Sequence, residues 1–223
     1  SSYFGIIDLA SIPKDRYYLY RSQWNKKEHT LHLLPHWNFS DGDTLPVMVY
    51  TDYPEVELFL NDSSLGRQHF LTKEEAEQDL RWGKCRRYRL IWDDIAWQAG
   101  ELKAVAYDAE GKAVETTVVR TAGEPKQIKI ENHKTGSLSY LEVSVVDKDG
   151  NLCPKANLPI NIKVEGSGKM LGAANGDACC LIPFQSLNQQ TFNGKMTIVV
   201  EGSCNVTVSS DGLPTTSYRV WNW

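Results

Sequence analysis

No apolar run in these 223 residues approaches the ~20 needed to span a bilayer as a helix. Positive charge is not in excess either. The 24 Lys and Arg stand against 28 Asp and Glu, a formal net charge of −4. No basic field is therefore present to draw nucleic acid or an anionic membrane surface. Cysteine is scarce and odd in number: Cys85, Cys153, Cys179, Cys180 and Cys204. That spacing is a poor disulfide framework, and without a C-x-x-C pair it offers no zinc site. The adjacent Cys179 and Cys180 are too strained to bond to each other. Mostly reduced, partly buried thiols are expected, with a Cys153–Cys204 bridge as the open alternative. Nucleophile elbow, phosphate loop and dinucleotide fingerprint are all missing, so no nucleotide-type cofactor is expected. The first residues, Ser-Ser-Tyr-Phe-Gly, carry neither an initiator Met nor a signal pattern. The expectation is a chain cut from something longer, its localisation signal lost with the cut.

The composition is that of a globular protein, 41% hydrophobic and 23% charged, at a length suited to two domains of about 100 residues. Residues 1–25 differ from the rest. Ile6-Ile7 and Leu9 make a short strand-like run, and Pro13 sits where a helix begins. Tyr17, Tyr20 and Trp24 then recur at helical spacing as an aromatic stripe. A lone strand and helix cannot bury such a stripe, so the segment reads as the last βα unit of a domain whose remainder is missing. Part of the stripe is free to pack on the next domain of the chain.

From about His29 the period becomes two. His29 to Leu34, Val47 to Tyr50, Val56 to Leu60, Arg87 to Trp92, Leu102 to Tyr107 and Ala113 to Val119 read as strands, with turns such as Asn61-Asp-Ser and Gln98-Ala-Gly between them. Thr72 to Leu80 is the exception, acidic and Ala-containing, a helical turn or loop. This pattern predicts an immunoglobulin-like sandwich over 26–122. After the break at Gly123-Glu-Pro125, strands at Ile128, Tyr140 to Val146, Ile160 to Val164, Met196 to Val200 and Val206 to Val208 predict a second one over 123–223. The fold class is all-β: two immunoglobulin-like sandwiches in tandem, preceded by a short strand–helix remnant.

Candidate chemistry is thin. The acidic residues lie on strand faces, in turns or in the Thr72–Leu80 run, where solvated surface is their ordinary role. His29, His32 and His36 have a helical spacing, but Pro35 and the strand pattern argue against a helix, and on a strand His29 and His32 face opposite ways. No metal is expected there. Asp147-Lys-Asp-Gly-Asn151 has its Gly at the fourth place rather than the sixth of a calcium loop, and reads as a hairpin turn. Sequons stand at Asn38, Asn61 and Asn205. Of the seven tryptophans, Trp92 alternates with apolar residues and reads as core. Trp37, Trp82, Trp97, Trp221 and Trp223 are the substrate-binding candidates, as rings for a sugar face, against a core or interface role.

Several segments, in order, resemble one family. Gly5-Ile-Ile-Asp-Leu-Ala, Pro13-Lys-Asp-Arg-Tyr-Tyr-Leu-Tyr and Ser22-Gln-Trp24 look like the end of the catalytic barrel of family 2 glycoside hydrolases, bacterial β-galactosidase-like members in particular. Leu31 to Asn38, Val56 to Asn61 and Gly100 to Tyr107 resemble the sandwich that follows that barrel. Leu141 to Leu152, Val164 to Lys169, Ala174 to Asp177 and Phe192 to Gly194 resemble the terminal one. Ala10-Ser-Ile-Pro13 departs from the family's Gly-Phe before Pro, and Cys179-Cys180 falls in a variable insertion. The resemblance implies that residues 1–25 are a TIM-barrel remnant. It also implies a parent that hydrolyses terminal β-linked sugars by the retaining mechanism, with both catalytic glutamates upstream of Ser1. No position here matches those glutamates, so no catalytic residue is carried over.

The leading expectation is a non-catalytic accessory region of a periplasmic or secreted glycosidase. It would buttress the barrel, shape substrate access or mediate oligomerisation, with the upstream barrel as its partner. A carbohydrate-binding module using exposed tryptophans is the second reading, and a structural array of a surface protein the third.

Overall fold

A computed structural model describes residues 4–221. Over these the chain divides into two compact units: 13–121 form one, and 122–221 together with 4–12 form the other. The segment from Phe4 to Trp24 is thus divided after Ile12.

The first unit opens with helix α1 (Asp15–Trp24), with Asp15 in its first turn, where an acidic side chain complements the helix dipole. Its inner face is not the stripe. Tyr18 stacks on His32 at 3.9 Å, and Ser22 is buried with its hydroxyl donating to the Leu19 carbonyl. Tyr20 and Trp24 stack on each other at 4.8 Å on another face, with Trp24 74% exposed.

Two antiparallel sheets complete this unit. One has the order β1-β2-β5, from Leu31–Leu34, Thr44–Thr51 and Leu90–Ala96. The other has the order β4-β3-β6-β7, from Ser63–His69, Glu55–Leu60, Glu101–Tyr107 and Ala113–Arg120. In β3 and β6 every second residue is buried, the signature of a sheet with one face on a core. Trp37, Val47, Val49, Leu58, Leu90, Trp92 and Leu102 fill that core. Pro46 lies at a register shift in β2, where a missing N–H is tolerated. The hairpin β3–β4 turns on Asn61 and Asp62, both with positive φ (48° and 63°), as a two-residue turn requires. Asn61 also ties in the next turn: its amide donates to the Ala99 carbonyl at 3.0 Å and its oxygen accepts from the Glu101 N–H at 2.9 Å. Gly100 (φ +134°) is required there, since a Cβ would collide with that oxygen.

The acidic segment between β4 and β5 is helix α2 (Lys73–Gln78). Thr72 and Glu75 form a reciprocal capping box, which resolves the choice between helical turn and loop. A 3₁₀ turn over Gly83–Arg87 leads into β5.

The second unit pairs the sheet β12-β10-β14-β15 (Asn188–Gln190, Pro159–Gly166, Cys204–Ser209, Thr216–Val220) with the sheet β11-β13-β9-β8 (Lys169–Ala174, Lys195–Glu201, Leu138–Val146, Gln127–Thr135). Its core holds Ile128, Leu141, Val143, Ile160, Met196, Ile198 and Val206, supplied by both sheets. Residues 6–9 contribute one isolated bridge residue, Ile7, rather than a regular strand. Asp8 organises a turn instead, its Oδ1 accepting from the N–H groups of Ala10 and Ile12 at 2.8 and 2.9 Å.

Asp147 closes β9. Its buried carboxylate accepts from Gly123 N, Asp149 N, Asn151 N and Asn151 Nδ2, at 2.9 to 3.0 Å. Burial alone would raise its pKa, but these four donors outweigh burial and hold it at about 2. A depressed folded pKa contributes stability that is complete above the unfolded value of 3.8 and lost as pH falls toward about 2. At 1.36 kcal/mol per unit this is about 2 kcal/mol at neutral pH. Urea unfolding of Asp147→Asn should show a loss of about that size at pH 7, shrinking to little by pH 2. Equal stability of the two proteins at pH 7 would contradict the assignment.

Candidate functional site

The tryptophans divide sharply by environment. Trp37 is fully buried; its indole donates to the Gln98 carbonyl, and its own carbonyl accepts from Trp97 Nε1 at 3.2 Å and Thr121 Oγ1 at 2.8 Å. No ring face of Trp37 meets solvent, and Trp97 is half-buried against the same core. Trp92 is core, with its indole N–H on the Gly66 carbonyl. Trp82 sits before the 3₁₀ turn, donating to Asp93 Oδ1 at 2.5 Å. Arg86 binds the other oxygen of Asp93 at 2.5 Å and Asp79 at 2.6 Å, so ring and guanidinium clamp the 79–93 loop together. Hydrogen bonds from the Trp82 N–H first, then from Arg81 N–H and Arg86, hold Asp79 below the usual carboxylate range.

Trp221, 46% exposed, is covered on its ring by Arg219 at 4.1 Å. Trp223 lies outside the described residues. The more exposed ring is Trp24, which was not among the sugar-binding candidates. Its signal is the i, i+4 spacing from Tyr20, which by itself marks only a packing stripe.

The three histidines go to separate partners. His29 Nδ1 pairs with Asp52 at 2.7 Å and stacks on Tyr53, and His32 Nε2 pairs with Asp15 at 2.7 Å. His36 stacks on Phe39 at 4.7 Å. Among the described residues no group of three His, Cys, Asp or Glu is placed to hold a metal ion. In the Asp147 turn the first carboxylate is already filled by N–H donors.

The second unit carries a shallow apolar concavity of about 280 Å³ between the turn at Leu9–Ser11 and the strands around Leu171, Ala173 and Val199, with Phe184 at its side. Of its lining residues, Leu9, Leu171 and Phe184 are exposed large apolar side chains.

The five cysteines stand as free thiols, with Cys153 and Cys204 buried. Burial pushes the Cys153 thiol up to about 11 and raises Cys204 as well, leaving little thiolate at neutral pH. In a thiol titration of the native protein, Cys85 and Cys179, both exposed, should react promptly, while Cys153 and Cys204 should wait for denaturant. Prompt reaction of Cys153 would contradict the burial described.

Residues 42–115 match the model of a domain of unknown function (DUF4982), and residues 124–219 match that of the glycoside hydrolase family 2 C-terminal domain 5. The chain is 34% identical over 225 residues to the β-galactosidase BoGH2A of Bacteroides ovatus, covering 96% of this chain and 25% of the relative. It is 33% identical over 182 residues to a putative β-glucuronidase of Formosa agariphila, covering 78% of this chain and 16% of that protein. A crystal structure of a β-glycosidase from Bacteroides vulgatus superposes with a TM-score of 0.84 at 31% identity, over 98% of this chain and 28% of that one. The chain therefore spans about a quarter or less of the length of the two curated relatives.

Proposed function

The chain belongs to glycoside hydrolase family 2, as part of its C-terminal region, and from that premise we propose that it is a non-catalytic accessory region whose work is to brace the catalytic barrel of a β-galactosidase-like parent. The observation that carries this reading is the exposure of large apolar side chains across residues 4–24: Phe4 (82%), Ile7, Leu9 and Trp24. Each such side chain gains about 1.5–3 kcal/mol on burial, so four of them left in water mark surface meant to be covered. The remainder of a family 2 enzyme supplies the cover.

The relatives at this region carry both β-galactosidase and β-glucuronidase names. A region held in common by enzymes for different sugars suits a scaffold, with sugar choice made elsewhere in the parent. On this reading the parent is a periplasmic or secreted enzyme. It is a retaining hydrolase of terminal β-linked sugars, with both catalytic glutamates outside these 223 residues.

A second reading, sugar binding by an exposed tryptophan, has Trp221 as its candidate, a ring 46% exposed with one face taken by Arg219.

Two measurements test the first reading. The purified chain should not hydrolyse a chromogenic β-galactoside, and turnover that co-purifies with it would end the non-catalytic assignment. Trp24→Ser should change the stability of this chain by no more than about 0.5 kcal/mol, as a surface substitution does. In the longer parent polypeptide the same change should cost about 1–3 kcal/mol. Equal small effects in both would mean that nothing covers this face.

A further inference from the structure

Against a net charge of −4, the run Lys84-Cys-Arg-Arg-Tyr-Arg89 places four cations in six residues. Where this run meets β4, a cleft of about 140 Å³ is lined by Arg67, Gln68, His69, Leu71, Arg86 and Arg89.

The three guanidinium groups are not equivalent. Arg86 has a partner on each nitrogen, with Asp79 and Asp93 on two and the Ile91 carbonyl, at 2.7 Å, on the third. Arg67 faces Glu55 at 3.4 Å and Glu57 at 3.6 Å and lies over the Tyr107 ring. Gln68 uses both ends of its amide on Ile91. Arg89 is different. Its Nε is buried without a hydrogen-bond partner, and among the described residues no carboxylate lies within ion-pair distance of it. Its guanidinium sits 5.5 Å from the centroid of the Tyr50 ring. That phenol does not neutralise it, because burial raises the Tyr50 pKa more than Arg89 lowers it.

Arginine remains charged at any accessible pH, and this one lines the cleft without a counter-charge. Its planar fork matches an oxyanion with two coplanar or tetrahedral oxygens. We propose that this cleft binds an oxyanion carried on a sugar, a uronate carboxylate or a sulfate ester, with the two terminal nitrogens of Arg89 as the bidentate donor and His69 and Arg67 beside it. The volume admits one such group and leaves the pyranose ring at the cleft mouth. That the oxyanion is borne by a glycan rests on the family reading; that the cleft takes an oxyanion rests on Arg89. The binding test is independent of turnover, so its failure is distinguishable from failure of the accessory role.

The test is calorimetric titration of the 223-residue chain at fixed ionic strength with methyl β-glucuronide, galactose 6-sulfate, methyl β-galactoside and inorganic sulfate. At least one acidic sugar should bind saturably, and the tighter of the two identifies the source of the oxyanion. The neutral sugar should not bind. Arg89→Gln should weaken binding about ten-fold or more, the loss expected for one charged hydrogen-bonding group. Arg89→Lys, which keeps the charge and loses the fork, should fall between and serves if the Gln variant fails to fold. No saturable binding of either acidic sugar, undiminished binding by Arg89→Gln, or inorganic sulfate binding as tightly as the sugars would overturn the proposal. So would binding by this chain that vanishes in the longer parent, since a protein carboxylate would then fill the cleft.

Discussion

Each sheet in this protein has one apolar face, and that face must meet another. In β3, β6, β14 and β9 up to Val145 the buried residues fall at every second position, so a slip of one residue would turn the whole apolar set outward. Register is therefore the quantity the rest depends on, and the turns hold it. Asn61 and Asp62 supply the two positive φ angles of one hairpin, and Gly100 lets the neighbouring turn approach the Asn61 side chain. In the other sandwich, Asp147 gathers four N–H donors at the end of β9. Apolar alternation says which residues face inward; these polar turns say where the alternation starts.

Much of this was legible in the sequence because period-two burial writes itself directly into residue order. The strands from Leu31 to Val119 and from Ile128 to Val208 show that alternation, and the two-sandwich architecture follows from it. Residues 6–9 were harder. Three apolar residues suggested a strand, yet the hydrogen bonds Asp8 makes to Ala10 and Ile12 win locally, since a short acidic side chain can replace a strand partner. Thr72 and Glu75 spelled a capping box that composition alone had left between helix and loop. Trp37 could not be told from an exposed ring by its neighbours in sequence; its burial depends on Gln98 and Thr121, 61 and 84 residues away. The exposure of Trp24 was hidden for the same reason. Helical spacing located the stripe, but which side of α1 met the sheet was decided by Tyr18 and His32.

The polar side chains are mostly spent on one another. Arg86 has partners for all its nitrogens, Gln68 for both amide ends, Asp147 for both oxygens, and Trp82 and Arg86 share Asp93. The departures from this saturation stand out: the exposed apolar side chains of residues 4–24 and the unmatched guanidinium of Arg89. Local rules broken without local compensation are where a partner or a ligand is expected.

The Asn61 turn has a consequence for how the protein can be made. Asn61-Asp-Ser is an acceptor sequence for oligosaccharide, and its Nδ2 is also the donor that holds Ala99. A glycan on that nitrogen leaves it one hydrogen and crowds a bend already so tight that Gly100 can carry no side chain. Attachment and turn formation thus compete for the same atom. A eukaryotic secretory host, where transfer precedes folding, would place the modification at a point on which strand register depends, whereas a bacterial host leaves the amide free to close the bend.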